Sequence, residues 1–262
     1  MTSRKRFHET MRYGMPDRVP YFEEGIRKDV IRAWHRQGLS RKTDISTLFK
    51  SDSFYEVELG FDPLSEFGRR LISREELLSL RNHLHPKYLS RLRKRWQKMT
   101  RRWQRKDHVL FLRVHRGFFL TMGVYDWRRF TEVISLLTDD PEFVREAMRI
   151  QGELISKFLD TVLQEMDVDA VLFSEPIGGN SGPLLSPEMY EEYVLKSYPP
   201  IIEVSRKHGI DSIILRTYAN IRVLIPGILK SGINCLWACE TNSRDMDYRD
   251  LRNEFGRNLR LI

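Results

Sequence analysis

Thiol chemistry is nearly absent: Cys235 and Cys239 are the two cysteines in 262 residues. They lie four positions apart at the end of an apolar segment, which excludes a disulfide framework and a CxxC redox pair and leaves them as small buried hydrophobes. Long apolar runs are missing too. With 31% charged residues and a mean hydropathy of −0.46, no window approaches the roughly 18 consecutive apolar residues of a membrane span. The opening MTSRKRFHETMRYG is basic but has neither an apolar core nor a small-residue cleavage site, so a cytoplasmic protein with no membrane partner is expected. The glycine-rich stretch IGGNSGP at 177–183 fits neither a dinucleotide fingerprint nor a P-loop.

Acidic residues are absent from one long stretch. KYLSRLRKRWQKMTRRWQRK, from Lys87 to Lys106, holds ten Lys or Arg and no acid. The chain as a whole carries a formal charge of +8, so the remainder is slightly acidic. Tyr88, Leu92, Trp96, Met99 and Trp103 recur at helical spacing, predicting a helix with an apolar stripe inward and bases outward. Such a face is either a footprint for a polyanion or a solvated surface whose Lys and Arg stems cover apolar area. No nucleic-acid motif accompanies it, so nucleic acid is not the expected partner.

What is present is alternation. At 41% hydrophobic the chain suffices for one domain, 1–262. A helix over 4–13 is followed by a strand RVPYFE at 18–23, a helix over 26–37 and a basic, mostly helical insertion at about 40–106. Strands are then expected at 109–114, 169–174, 211–216, 233–238 and 258–262, with helices near 118–122, 126–137, 140–166, 186–208, 220–230 and 244–254. Asp140-Pro141 and Ser186-Pro187 read as helix starts and Gly209 as a C-cap. Strands alternating with helices imply parallel βαβ units with right-handed crossovers. Six strands are two short of a closed (β/α)8 barrel, roughly 60 residues of further chain. The expectation is an incomplete α/β barrel, truncated after its sixth strand, whose open edges invite a homodimer partner or a second chain.

Three segments carry a resemblance: DRVPYFEEGIRKDVIRAWHRQGL; DVDAVLFSEPIGGNSGPLLSPEMYEEYVLKSYPPIIEVSRKHGID; and ANIRVLIPGILKSGINCLWACE with FGRNLRLI. Together they are similar to the uroporphyrinogen decarboxylase superfamily, which also contains corrinoid-dependent methyltransferases. The strand, glycine-rich loop and GPLLSPEMYEEYVLKSYPPII form the most specific piece. The opening resembles the uncharacterised and methyltransferase-like members more than the true decarboxylases. The resemblance implies a TIM-type barrel with chemistry at the C-terminal ends of the strands.

At those exits stand Glu23 and Glu24; Arg113, His115 and Arg116; Glu175; Arg216 and Tyr218; and Glu240. Asn180 sits in the glycine-rich loop. In the zinc-dependent methyltransferases that the chain resembles, the exit after the DSIILR-like strand carries His-x-Cys. Here those positions are Arg216 and Tyr218, and a guanidinium has no lone pair for a metal, so no metal is expected. Arginine does fit carboxylates, which it grips in a two-pronged fork. The decarboxylase branch implies a carboxylate-rich tetrapyrrole substrate and cofactor-free chemistry. On that reading Glu175, Tyr218 and His115 are catalytic candidates, with Arg113, Arg116, Arg216, Glu23, Glu24, Asn180 and Glu240 holding substrate.

Plainer roles compete for the same residues. Glu175 is placed to cap a neighbouring helix or to pair with Arg216 as a rim ion pair, His115 to be a satisfied histidine, Tyr218 to pack its ring, and the 177–183 loop to be a tight turn. Three functions stay open. The first is decarboxylation of a polycarboxylate, tetrapyrrole-related ligand without a cofactor. The second is corrinoid-linked methyl transfer with a cobamide and no zinc site. The third is a barrel remnant that binds but does not catalyse. Arg216 and the basic run favour the first over the second; the missing strands favour the third.

Overall fold

Strict alternation along each strand places one set of apolar side chains against helices and another against the hollow of a curved sheet. The structure, a computed structural model, describes residues 1–45, 48–59, 107–238 and 244–262, with Glu75, Leu77, Lys94, Trp96, Gln97 and Thr100. Six strands form one parallel sheet in the order β1 (Phe54–Glu58), β2 (Val109–His115), β3 (Ala170–Ser174), β6 (Ser212–Thr217), β7 (Cys235–Ala238) and β8 (Arg260–Leu261). A small antiparallel hairpin, β4 (Gly178–Gly179) with β5 (Gly182–Pro183), follows β3.

Leu110, Leu112, Val114, Val171, Phe173, Ile213, Leu215 and Leu236 point to the helix side, where Leu77 and Trp96 join the same core. Val109, Phe111, Ala170, Leu172, Ile214, Cys235 and Trp237 point to the hollow and pack on Phe7 and Met11 of α1 (Ser3–Met11). Both faces being covered explains why these strands read as continuous apolar runs. Cys235 is a buried thiol whose pKa burial pushes up.

Curvature is visible in which strands touch. β1 and β7 are four places apart in the sheet, about 19 Å along a flat one. Yet the rings of Phe54 and Trp237 lie 6.3 Å apart. The sheet curls as part of a barrel, and among the described residues β8 and β1 do not pair to close it. An apolar cavity of about 550 Å³ lies between β8 and residues 19–25, with Phe7, Phe22, Trp237 and Ile262 in its wall.

Outside the sheet run α2 (Lys28–Arg36), α3 (Phe118–Thr121), α4 (Trp127–Asp139) and α5 (Pro141–Leu163). After β5 come α6 (Pro187–Tyr193), α7 (Pro199–Lys207), α8 (Ile225–Ser231) and α9 (Tyr248–Phe255). Asp140 caps α5 by accepting from the Phe143 amide, and Ser186 caps α6 by accepting from Met189. Gly209 takes the left-handed φ of 77° just past α7, where a side chain would be strained. The single helix expected over 186–208 is broken into two by Pro199 and Pro200, which supply no amide hydrogen to continue the ladder. No helix among the described residues is long and apolar enough to cross a membrane.

The first strand is a correction. Residues 18–23 form no strand, and the sheet begins instead at Phe54–Glu58, inside the stretch expected to be a helical insertion. Pro20 lacks an amide, and the 18–23 segment is tied to the start of β1 by the Asp52 amide donating to the Tyr21 carbonyl at 2.6 Å, too little for a ladder. Of the basic run, Lys94, Trp96, Gln97 and Thr100 are helical, with Trp96 buried and Lys94 exposed; Tyr88, Leu92, Met99 and Trp103 lie outside the described residues.

Asp52 is the anchor of this corner. Its buried carboxylate accepts from Arg6, from Arg18 at 2.7 Å and from the Tyr21 amide at 2.9 Å. Burial works to raise its pKa, and the Tyr21 amide and Arg18 outweigh that, leaving the carboxyl below its ordinary value. A group depressed in this way contributes stability above the ordinary carboxylate range, which is lost on acidification. Asp52→Asn leaves Arg6 buried with one carboxylate fewer and is expected to cost about 3 kcal/mol. Asp17→Asn, at a more exposed partner of the same arginine, should cost clearly less, because solvent screens the pair. Urea unfolding of the two variants checks the order.

Candidate functional site

At the C-terminal ends of the strands the hollow face stops being apolar. Register and parity set what appears there: Phe54 is followed on its face by Glu56 and Glu58, Phe111 by Arg113, and Ile214 by Arg216. Arg216 Nη1 and Nη2 donate to the two oxygens of Glu56 at 2.6 and 3.0 Å. Arg216 also stands 3.6 Å from Glu24 and 5.4 Å from the centre of the Trp237 ring. Arg113 is 3.5 Å from Glu56 and pairs with Glu58, which in turn lies 3.7 Å from Arg116. Three arginines and three glutamates thus alternate across the mouth.

Electrostatics follows from that alternation. Burial lowers the pKa of Arg113, and Arg216 and Arg116 lower it further against the opposing pull of Glu56. Burial also works against the Arg216 charge, and its bonds to Glu56 more than restore it. Both guanidinium groups stay charged at any physiological pH. The Nε of Arg113 and the Nε of Arg216 are buried and make no hydrogen bond among the described residues. The Arg216 side chain is 8% exposed and Glu56 21%, so the pair sits at the edge of the solvent rather than beneath it.

The expected site residues separate into groups. Arg113, Arg116, Arg216 and Glu24 come together at the mouth, and Tyr218, half exposed, lies near enough to Arg113 and Arg216 to affect both electrostatically. Glu23 is turned to local work, accepting from the Tyr21 hydroxyl at 3.0 Å and the Gly25 amide at 3.1 Å. Asn180 is exposed in the turn between β4 and β5. Glu240 and Cys239 lie outside the described residues.

Glu175 and His115 are elsewhere. Ser174 takes the hollow-facing position at the end of β3, so Glu175 falls on the helix side. There it is fully buried, accepting from the Phe118 amide at 2.9 Å and from the hydroxyls of Tyr198 at 2.6 Å and Tyr190 at 3.5 Å. His115 would face the hollow by simple alternation, but the register shifts between Arg113 and His115, and such a bulge turns the next side chain over. Its ring stacks on Phe173 and meets Tyr198 edge-on, and its Nδ1 accepts from the Gly117 amide at 2.9 Å. The pair Glu175 with Arg216 expected from sequence does not form; a backbone bond links them instead, from the Glu175 amide to the Arg216 carbonyl at 2.8 Å.

These two residues fasten the exit of β2 to the helices. Gly117 has φ 96°, and a side chain there would meet the Glu175 carboxyl and the Ser174 carbonyl at 2.7 and 2.8 Å. Glu56 and Glu58, the carboxylates that do reach the mouth, were not among the sequence candidates. Their signal was the alternation in FYEVE, with Phe54, Glu56 and Glu58 on one face and Tyr55 and Val57 on the other.

Residues 122–258, more than half of the chain, match the model of the family described as uroporphyrinogen decarboxylase (URO-D). The chain belongs to the uroporphyrinogen decarboxylase family. A search of curated proteins found no match. In structure the chain is similar to a methyltransferase from Methanosarcina mazei, at 11% identity and a TM-score of 0.46 over 63% of this chain. It spans 45% of that methyltransferase, less than half its length. For a uroporphyrinogen decarboxylase family member the open parallel sheet is part of the family's barrel, with the arginine and glutamate cluster where barrel sites lie.

Burial pushes the Glu175 carboxyl up from 4.5 to about 7, against the bonds from Tyr198 and Phe118 that favour the anion. Since the folded state holds this proton more tightly than the unfolded chain, stability falls as pH rises from about 4.5 to about 7, by on the order of 3 kcal/mol. Glu175→Gln cannot ionise, and its amide can face Tyr198 while its oxygen keeps the Phe118 bond. The melting temperature of the variant relative to the parent should therefore rise by several degrees between pH 5 and pH 8. A difference that is flat with pH would mean that Glu175 ionises at its ordinary value.

Proposed function

We propose that the strand mouth of this uroporphyrinogen decarboxylase family chain takes up a polycarboxylate, tetrapyrrole-related ligand through Arg113, Arg116 and Arg216. One observation carries the reading: three guanidinium groups at the exits of β2 and β6 are held by internal carboxylates, Glu24, Glu56 and Glu58, that are 21–52% exposed. A ligand carboxylate entering the Arg216 fork replaces Glu56 bond for bond, and the released glutamate returns to water. The exchange keeps the number of charge-assisted bonds nearly constant, so the flat apolar body of the ligand and its remaining carboxylates decide affinity.

The chemistry that fits is decarboxylation without a cofactor. A ring-protonated pyrrole accepts the electron pair as the bond to the departing carbon dioxide breaks, and a proton then returns to the methylene carbon left behind. Such a route needs an anion beside the protonated ring. Glu175 is enclosed behind the sheet, so that task passes to Glu56 or Glu58, which ion pairs with the arginines hold at the mouth. Tyr218, half exposed beside Arg113 and Arg216, is the hydroxyl placed to contact the ligand. Among the described residues, none at this mouth favours corrinoid-linked methyl transfer.

Uroporphyrin fluorescence titration tests the reading. Arg216→Ala should weaken binding about tenfold or more, while Glu56→Gln, which frees both arginines, should strengthen it severalfold, and added salt should weaken binding to the parent. Equal affinity in Arg216→Ala and the parent would remove the mouth from ligand binding. Binding without release of carbon dioxide from the reduced ligand would leave the mouth a binding site and end the decarboxylase reading.

A further inference from the structure

The opposite end of the sheet, where the strands begin, holds a cavity of about 430 Å³. Its wall is built from α1, the last turn of α7 and the residues that lead into β3, β6, β7 and β8. His8, Arg12, Asp169, Arg206, Asp211 and Arg260 are its charged and titratable members. Unlike the mouth, its charges do not balance. Asp169 is already bound by Arg4 at 2.7 Å, His8 at 2.6 Å and the Leu110 amide at 2.8 Å. Asp211 is the remaining acid; its side chain is 77% exposed and 3.7 Å from Arg12.

Arg206 and Arg260 are positioned by carbonyls, while Arg12 has the exposed Asp211 beside it. Arg206 donates one bond, to the Gly232 carbonyl at 3.0 Å. Arg260 donates through Nε to the Met11 carbonyl at 2.6 Å, and its plane lies 5.3 Å from the Tyr13 ring. Tyr13 is itself fixed with a left-handed φ of 54°, and Arg252 and Arg257 lie over the same ring at 5.5 and 5.3 Å. Arg252 spends its bonds on the Tyr13 hydroxyl and on the carbonyls of Gly256 and Leu259. The Nη groups of Arg260 and most donors of Arg206 meet no carboxylate among the described residues, and Arg12 shares its charge with the exposed Asp211.

We propose that this cavity is an anion site for a multiply charged phosphate-type ligand, separate from the mouth. Three guanidinium groups, from Arg12 just past α1, Arg206 on α7 and Arg260 on β8, line the one cavity. That arrangement matches the several oxygens of a tetrahedral oxyanion better than the two coplanar oxygens of one carboxylate. The excess positive charge, confined between the sheet and α1, draws such an anion in, and binding adds bonds instead of exchanging them. The cavity is larger than one phosphate group, which leaves room for a second phosphate or an organic substituent.

Inorganic pyrophosphate is the probe, with sodium chloride at matched ionic strength as the reference. Pyrophosphate should raise the melting temperature of the full chain by several degrees and bind in calorimetry at a stoichiometry of one. Arg206→Ala, at an exposed side chain, should lose that gain while melting as the parent does without ligand; Arg12→Ala provides a second variant should the first fold poorly. Arg216→Ala should keep the gain, which separates this site from the mouth. No gain above sodium chloride, a full gain in both Arg206→Ala and Arg12→Ala, or its loss in Arg216→Ala would each overturn the proposal.

Discussion

The contact between Arg216 and Glu56 is the constraint on which the mouth depends. It joins β6 to β1, strands with β2 and β3 between them, a separation of about 14 Å on a flat sheet. Their side chains meet at 2.6 Å because the sheet curls, and once met they keep β1 folded over the hollow. The Phe54, Phe111 and Trp237 rings fill the space beneath the pair. A partly buried ion pair is weak evidence for stability, since desolvating both ions offsets much of their attraction. Its consequence here is positional: two arginines and two glutamates are held at fixed points where the apolar lining ends.

The two faces of the sheet divide the titratable groups into separate populations. Groups on the hollow face reach solvent at the mouth, and their charges persist because an opposite charge adjoins each one. Groups on the helix face are sealed. Glu175 and His115 lie on either side of Tyr198, and burial drives both toward neutrality, the carboxyl up to about 7 and the imidazole down to about 3. Their effects on stability have opposite sign: the histidine penalises acid and the glutamate penalises alkali. Between the ordinary carboxyl value of 4.5 and the ordinary imidazole value of 6.5 the two slopes oppose each other, so mildly acidic conditions suit the joint between β2, α3 and α7 best.

Much of this architecture is legible in the sequence, and the failures have identifiable physical causes. Runs such as VLFLRV and SIILR show doubly covered strands, and Asp140-Pro141, Ser186-Pro187 and Gly209 mark helix ends because capping is local chemistry. Arg216 is placed on the hollow face by parity from Ile214. Glu175 is misplaced because the last hollow-facing residue of β3 is Ser174, and one position decides the face. His115 is misplaced because a bulge is a pairing irregularity between two strands and leaves no local mark. β1 is missed because its hollow face carries Glu56 and Glu58, so it lacks the apolar density of its neighbours, while RVPYFE has that density but is interrupted by Pro20. The residues least like core were the ones that build the mouth.

The two ends of the sheet therefore pose different problems to an anion. At the mouth every guanidinium already has a carboxylate, so a ligand must compete, and selectivity rests on having enough carboxylates at the right separations to displace several glutamates together. A lone carboxylate gains little there, since it trades one ion pair for another at comparable energy. At the strand starts Arg206 and Arg260 are held by carbonyls, and Arg260 also by the Tyr13 ring, which orient them but leave their charge uncompensated. An anion there competes with the exposed Asp211 for Arg12 alone, and its binding weakens with salt through screening. A chain carrying both arrangements discriminates by number of charges at one end and by presence of charge at the other, so occupation of the lower cavity need not track what the mouth selects.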